Sequence, residues 1–423
     1  MAHILILGGG ASGLAAALAA AQAGPAGTRI TVLERGPRVG RKLLATGNGR
    51  CNISNADLSP QHYFTSDPAA LALCLETVQN ADPLGWLGRL GLLCAAPDEA
   101  GRIYPYSNQA QDVLDLLLDR LTRAGVSLQT GVQVVGLRQQ RSGWAVACAE
   151  GRPWNADAVI CALGGSAGPQ FGTDGFGPAL AKNCGMQVEP LYPCLVPLQC
   201  GGVDGTLAGL RARGTVSLFD GGRFVAAERG EIQFTGYGLS GIAVMQLSGL
   251  LRPRESLRAP ELRLDLFPAW ETTALAALLQ TRAETVPELT AAQTMTGLIS
   301  KRIGLAVWKS ASLGSETRPA AGLRPEEWRT LAHTFKSWRF PVTGPLGWKQ
   351  AQTTGGGLAL GEIEPDTFAL RGCRGLYFVG ETLDCAGTCG GYNLHWAFGT
   401  GLAAGRAAAQ RAARAQPRKK HAT

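Results

Sequence analysis

Apolar positions crowd the first 34 residues in two rhythms. His3-Ile4-Leu5-Ile6-Leu7 is a short unbroken run, the pattern of a strand buried on both faces. From Ser12 to about Ala23 the chain is almost pure Ala and Leu and stops at Gly24-Pro25, which predicts a helix. Arg29-Ile30-Thr31-Val32-Leu33-Glu34 then reads as a second parallel strand.

Further along, Val113, Leu114, Leu117 and Leu121 recur at helical spacing, so Ala110 to about Arg123 is predicted as a helix. Strands are expected at Val126–Leu128, Val132–Leu137, Trp144–Cys148 and Ala158–Ala162, the last running into Gly164-Gly165. From Met186 to about Pro341 the character changes. Pro190, Pro193 and Pro197 read as a crossover, followed by strands at Gly214–Phe219, Arg223–Ala226, Glu231–Phe234 and Leu262–Leu266. Helices are expected at Thr273–Arg282, Ala291–Ile303 and Pro325–Thr334. The first pattern then returns: a glycine turn at Thr353–Leu358, a strand at Gly375–Glu381, and a helix from about Gly391 to about Arg414.

A chain of 423 residues exceeds what one hydrophobic core holds, so two domains are expected. The eleven cysteines are scattered and no export signal precedes them, which fits reduced thiols in the cytoplasm. No run is long and apolar enough to predict membrane insertion. The net charge of +8 would suggest a nucleic-acid partner, yet Arg406, Arg411, Arg414, Arg418, Lys419 and Lys420 supply six of those charges; removing them leaves +2. A basic end without aromatic interleaving reads as a solvated terminus, so no nucleic-acid partner is expected.

The chemistry lies at the first turn. Gly8-x-Gly10-x-x-Gly13 follows a strand, opens a helix, and is followed by Glu34 at the end of the next strand. Gly8 permits the tight turn, Gly10 lets backbone approach a pyrophosphate, Gly13 allows close packing, and the carboxylate accepts from ribose hydroxyls. The helix start, with Ala11 and Ser12, points free N–H groups at phosphate. No second such fingerprint occurs, so a dedicated nicotinamide domain is not expected.

Further blocks carry a resemblance. Gly40-Arg41-Lys42-Leu43-Leu44-Ala45-Thr46-Gly47-Asn48-Gly49-Arg50-Cys51-Asn52, Gly101-Arg102-Ile103-Tyr104-Pro105, Tyr237-Gly238-Leu239-Ser240-Gly241, Thr353-Thr354-Gly355-Gly356-Gly357, Gly380-Glu381-Thr382-Leu383-Asp384 and Cys389-Gly390-Gly391-Tyr392-Asn393-Leu394 make the chain similar to the BaiN/YhiN-like flavoproteins. The resemblance implies an α/β architecture: a Rossmann-like, glutathione-reductase-type FAD-binding domain in two parts, 1–188 and 343–412, an inserted mixed α/β substrate domain, 189–342, and a basic tail, 413–423. It implies tightly but non-covalently bound FAD, with NAD(P)H as a transient donor. At least one relative is described as reducing carbon–carbon double bonds of bile-acid intermediates.

Carried over residue by residue, the Gly8 to Gly13 loop would hold the pyrophosphate, Glu34 the adenosine ribose, and Val134 backbone the adenine. Arg41 and Lys42 would neutralise phosphate, although with Arg50 they also read as a solvated basic face. Glu381 stands where related flavoenzymes usually have Asp and would bind ribityl or ribose hydroxyls. Asn48, Gly49, Arg50, Cys51, Ala162, Gly164, Gly380, Gly391, Asn393 and Leu394 complete the cofactor set. The helix beginning near Gly391 would aim its positive end at the flavin's pyrimidine edge. Cys51 reads equally as a flavin-facing thiol or a small buried hydrophobe; Tyr237 as a site residue or part of a tight turn; His395 as catalytic or as packing. These three are the catalytic candidates, and the proton donor is otherwise unknown. Cys385 and Cys389, spaced CxxxC, lack the tighter spacing of a redox pair. No metal site is expected.

The function expected is a flavoprotein oxidoreductase passing a hydride from NAD(P)H through flavin N5 to an electron-poor small molecule, an enone or similar double bond. A FAD-dependent RNA-modifying protein and a non-catalytic flavin-binding protein are the alternatives. The acceptor, nicotinamide preference and oligomeric state are left open.

Overall fold

The two rhythms at the start of the chain become strand and helix where the pattern puts them. The computed structural model describes residues 2–253 and 257–415. His3–Leu7 is a strand with every side chain buried, Ala11–Ala23 is a helix, and Arg29–Glu34 is the next strand. They centre a five-stranded, all-parallel sheet in the order Leu376–Phe378, Ala158–Cys161, His3–Leu7, Arg29–Glu34, Ser127–Thr130. A parallel sheet is covered on both faces, which explains the absence of polar alternation in its strands.

The chain divides into two compact units. One runs to Cys194 and resumes at Trp348; the other is Leu195–Gly347. The sequence pattern placed these edges at 189 and 342. The first edge lies later because Val188–Cys194 is a strand paired antiparallel with Thr353–Leu358, in the first unit. Two readings are corrected here. Pro190 and Pro193 sit inside a strand whose register shifts between Glu189 and Tyr192, an irregularity that tolerates proline. Thr353–Leu358 is a fully buried strand, not a turn, and it needs its glycines: a β-carbon on Gly355 would come within 2.1 Å of the Tyr192 ring.

In the first unit the segment expected at 132–137 begins at Val134, runs to Gln139, and joins a separate antiparallel sheet with Trp144–Cys148 and Trp154–Ala156. The last helix, Tyr392–Ala415, continues past the expected domain edge at 412, so the predicted tail begins as helix. Residues 416–423, with Arg418, Lys419 and Lys420, lie outside the described residues. This helix lies on Ala11–Ala23 almost backbone to backbone. β-Carbons on Gly401 and Gly405 would stand 2.3 Å from the carbonyl oxygens of Ser12 and Ala16 respectively.

The second unit is a closed, six-stranded antiparallel barrel in the order Leu198–Cys200, Gly238–Ser240, Arg223–Thr235, Arg211–Asp220, Pro260–Asp265, Trp338–Pro345. The strands expected at 223–226 and 231–234 are one element, since the intervening residues keep register with Gly214–Ser217. Of the helices, Thr272–Thr285 and Pro325–Lys336 form near their expected places. Ala291–Ile303 does not: Gly297 at φ +81° separates a single turn at Gln293–Met295 from a helix at Lys301–Ser310. Phe234, Phe340, Trp308 and Trp328 are buried in this unit's core. Among the described residues no helix is long and apolar enough to cross a membrane.

Replacing helix-interior Gly by Ala ordinarily stabilises by about 1 kcal/mol. At Gly405 the methyl would collide with the Ala16 carbonyl, so Gly405→Ala is expected to destabilise the protein, by about 1–3 kcal/mol. Urea denaturation checks the sign; a more stable variant would contradict the packing.

Candidate dinucleotide site

The first turn is built from backbone. Gly8, at φ +103°, donates its N–H to the Leu33 carbonyl at 2.8 Å, fixing the turn to the second strand. Gly13 lies beneath it, where a β-carbon would be 1.9 Å from the Gly8 carbonyl oxygen. Gly10 precedes the helix with no side-chain cap, so the first helical N–H groups are left for a ligand. A β-carbon on Gly10 would meet nothing within 4 Å.

That turn borders a cleft of about 1500 Å³ including the solvent at its mouth. The cleft brings together Gly8, Gly10, Ala11, Ser12, Glu34, Arg41, Lys42, Val134, Ala162, Gly164, Glu381, Asn393 and Leu394. Its polar side chains are mostly committed. Glu34 accepts from the Gly9 N–H at 2.8 Å through Oε2 and from the Gly36 N–H at 2.7 Å through Oε1. Asn393 exchanges both amide bonds with the Gly387 backbone at 2.8 Å. Lys42 Nζ donates to Glu381 Oε2 at 2.6 Å and to the Ala167 carbonyl at 3.1 Å. Glu381 Oε1 accepts from Thr354 N–H at 2.9 Å and Oγ1 at 2.7 Å. Lys42 and Glu381 thus both line the cleft and are paired with each other there.

Gly380 and Gly391 support the cleft from behind. A β-carbon on Gly380 would lie 2.6 Å from Ser12 Oγ, and one on Gly391 2.3 Å from the Ser54 carbonyl oxygen. The block from Asn48 to Cys51 does not border the cleft. Arg50 is exposed, with its guanidinium 4.9 Å from the Tyr104 ring centroid, while Cys51 is fully buried and its thiol is pushed up to about 12 by burial. Cys51 is thus the buried hydrophobe of its two readings. Cys385 borders the cleft as a buried thiol held well above its usual range by desolvation.

His395 packs behind the helix start. Its Nδ1 lies 2.8 Å from Ser54 Oγ, its Nε2 has no partner in the structure, and burial lowers its pKa to about 4. Tyr237 belongs to the barrel unit, in the turn before Gly238–Ser240, and is exposed. Several cleft residues escaped the sequence reading: Arg35, Thr353 and the segment Phe171–Asp174. Arg35 donates to Asp174 at 2.5 Å and to the Gly172 carbonyl, and Arg41 to the Gln170 carbonyl at 2.6 Å. Thr353 and Thr354 lie in the segment Thr353-Thr354-Gly355-Gly356-Gly357, whose glycines suggest only a turn.

The family model described as HI0933-like protein Rossmann domain matches residues 2–407. The chain belongs to this family. Among HI0933-like relatives, a 3-dehydro-bile acid delta(4,6)-reductase of Clostridium scindens is 37% identical over 417 residues, covering 97% of this chain and 100% of the relative. A ribosomal RNA dihydrouridine synthase of Escherichia coli is 27% identical over 409 residues, covering 94% and 96%. A solved 3-ketosteroid-delta4-(5alpha)-dehydrogenase of Rhodococcus jostii shares 16% identity at a TM-score of 0.49 over 96% of this chain and 97% of that one. The resemblance read from the motifs and the family model agree.

Two outcomes follow for this HI0933-like chain. Gly10→Val should leave the melting temperature nearly unchanged and abolish dinucleotide binding, because its side chain would enter open cleft; Gly13→Val should lose both, and equal effects of the two on melting would contradict this geometry. His395, ordinarily near 6.5, is neutral in the fold down to about pH 4, so folding stability is full above pH 6.5 and declines as pH falls toward 4, by roughly 3 kcal/mol in all. Urea melts at pH 7 and pH 4.5 should show that His395→Gln loses part of this slope; an identical slope would remove His395 as its source.

Proposed function

We propose that this protein is a FAD-dependent oxidoreductase that reduces an electron-poor carbon–carbon double bond with NAD(P)H as donor. The observation carrying the reading is the cleft itself: one uncapped glycine turn, faced by Glu381 and by Asn393 and Leu394 at the start of the Tyr392–Ala415 helix. The residues fit a dinucleotide, since Gly10 opens on empty space and Glu34 is held by two backbone N–H groups in a fixed orientation. FAD bound there would supply the hydride chemistry.

The protein's own part is binding and orientation. The free N–H groups at Ala11 and Ser12 take a phosphate oxygen, and the spare acceptor capacity of Glu34 takes a ribose hydroxyl. The first turn of the Tyr392–Ala415 helix turns a positive dipole end toward the cleft wall formed by Asn393 and Leu394. Trp396 Nε1 donates to the Gly380 carbonyl at 3.1 Å, which ties that helix to the Gly380-Glu381 turn.

The names of the two curated relatives support the acceptor class. Each describes saturation of a carbon–carbon double bond conjugated to a carbonyl, one in a bile acid and one in uridine. The higher identity lies with the bile-acid enzyme, which favours a small-molecule enone.

Anaerobic titration of the purified protein with NADH and then NADPH, following the visible flavin band, tests the reading. Rapid bleaching by one of them is expected, with reoxidation on adding a steroid enone; a uridine-containing oligonucleotide is the second acceptor to try. Colourless protein that FAD does not reconstitute, or flavin that neither nicotinamide reduces, would contradict it.

A further inference from the structure

A strap of backbone joins the strands on either side of the glycine turn. Ala158–Cys161, His3–Leu7 and Arg29–Glu34 are neighbours in the parallel sheet, so all three end at one edge, and the glycine turn leaves from the middle one. Neighbouring strands lie about 4.8 Å apart, which puts the two outer ends about 10 Å from each other. The chain that leaves Ala158–Cys161 closes this distance. Arg35, immediately after Glu34, donates to Asp174 Oδ2 at 2.5 Å and to the Gly172 carbonyl. Arg41 donates to the Gln170 carbonyl at 2.6 Å. Phe171, Gly172, Thr173 and Asp174 border the same cleft as Gly8 to Ser12.

The strap has a fixed root and a tip held by charge. At the root, the Ser166 and Ala167 N–H groups donate to Thr354 Oγ1 at 2.8 and 2.9 Å, and the Gly168 N–H donates to the Trp348 carbonyl at 3.0 Å. Gln170 Nε2 adds a bond to the Lys349 carbonyl at 3.2 Å. The Gly175 N–H donates to the Gly165 carbonyl at 2.9 Å and closes the base of the loop. At the tip, Gly172 takes φ +99°, and a β-carbon there would stand 3.2 Å from Arg41 Nη1. The Arg35 and Asp174 side chains are 32% and 48% exposed. An ion pair that open to water is weak and is screened by salt, so the tip contact is one that opens and recloses.

We propose that segment 166–174 is a retention strap: it closes over the ligand at the glycine turn and is latched to the far wall by Arg35, so that uptake and release both wait for the Arg35–Asp174 pair to open. That the ligand is FAD rests on the reading above; the latch rests on the contacts between the two strand ends. Arg35 is a positioning residue here, acting through Asp174 and Gly172. Because the latch is made of protein groups alone, weakening it speeds entry and exit together and leaves their ratio, the affinity, nearly unchanged. Gating loops commonly set release rates in this way.

The test follows flavin fluorescence as FAD binds to, and is released from, the full-length chain, for the wild type, Arg35→Gln, Asp174→Asn and the double variant. Asp174→Asn keeps the Oδ1 that accepts from the Phe176 N–H at 3.0 Å, so the following helix start is preserved. Each single variant is expected to speed both uptake and release by about threefold, the factor an exposed ion pair supplies, with the affinity changed by less than about twofold. Charge alone predicts something else: losing a cation slows uptake of anionic FAD and losing an anion speeds it, so acceleration in both variants is the signature of the latch. The double variant is expected to be no faster than either single one, since the two residues act as a unit. Wild-type release should quicken between about 50 and 500 mM NaCl, and release from Arg35→Gln should not. Unchanged rates in both single variants, uptake shifted in opposite directions, or additive effects in the double variant would each overturn the latch. Hydrogen exchange of the backbone amides of 166–175 in the flavin-free chain decides independently of any ligand. Faster exchange in Arg35→Gln and Asp174→Asn is expected, and equal exchange overturns the proposal. A wild type that takes up no FAD removes the flavin reading and leaves the exchange comparison to decide the latch.

Discussion

Three backbone contacts that admit no side chain hold the first unit together. Gly13 lies on the Gly8 carbonyl, and Gly401 and Gly405 lie on the carbonyls of Ser12 and Ala16. The first helix is therefore clamped between its own strand turn and the last helix of the chain, residues nearly 400 positions apart in sequence. Because Ser12 is a partner in the second contact and also neighbours Gly380, one clamp positions the helix N-terminus, the Gly380-Glu381 turn and the start of the last helix together. The cleft lies among these three parts, so its geometry follows from how closely two helix backbones can approach. Interiors at crystal-like packing density transmit such constraints, since a neighbour cannot yield by much.

The fold was legible wherever local pattern and tertiary demand agreed. The opening strand, helix and strand, the Ala158–Cys161 strand and the last helix all carry strong apolar or helix-forming signals, and they formed near their predicted bounds. It was illegible where a partner imposes the conformation. Thr353–Leu358 reads as a turn because glycine is rare in strands, yet here the Tyr192 ring needs the space a side chain would fill. Glu228 and Gly230 break the apolar pattern of the long barrel strand, yet they keep register because Val216 and Gly214 stand opposite them. Conversely, nothing in the apolar content of 291–303 announces that Gly297 takes a left-handed conformation and splits the helix.

The candidate site shows the same division. Its glycines were legible because each has one physical job, whereas the protein partners of its charged residues were not. Lys42 and Glu381 lie 339 positions apart in sequence, and no spacing rule pairs them. Arg35 and Asp174 likewise meet only in the folded chain. Cys51 sits in the most family-specific block and still turns inward, where desolvation keeps its thiol protonated.

These commitments say how such a cleft recognises its ligand. Glu34, Glu381 and Asn393 direct their polar atoms at least partly to backbone N–H and C=O groups, so their first task is to hold loops in place. What remains for the ligand is the uncapped helix start, the open space above Gly10, and the spare donors and acceptors of groups already fixed by other bonds. Groups held in this way lose little conformational freedom when a ligand arrives, which is the physical content of preorganisation. A site built like this is read most reliably through its glycines, because they mark where backbone must come close, whereas its charged residues gain their meaning only from the partners that folding supplies.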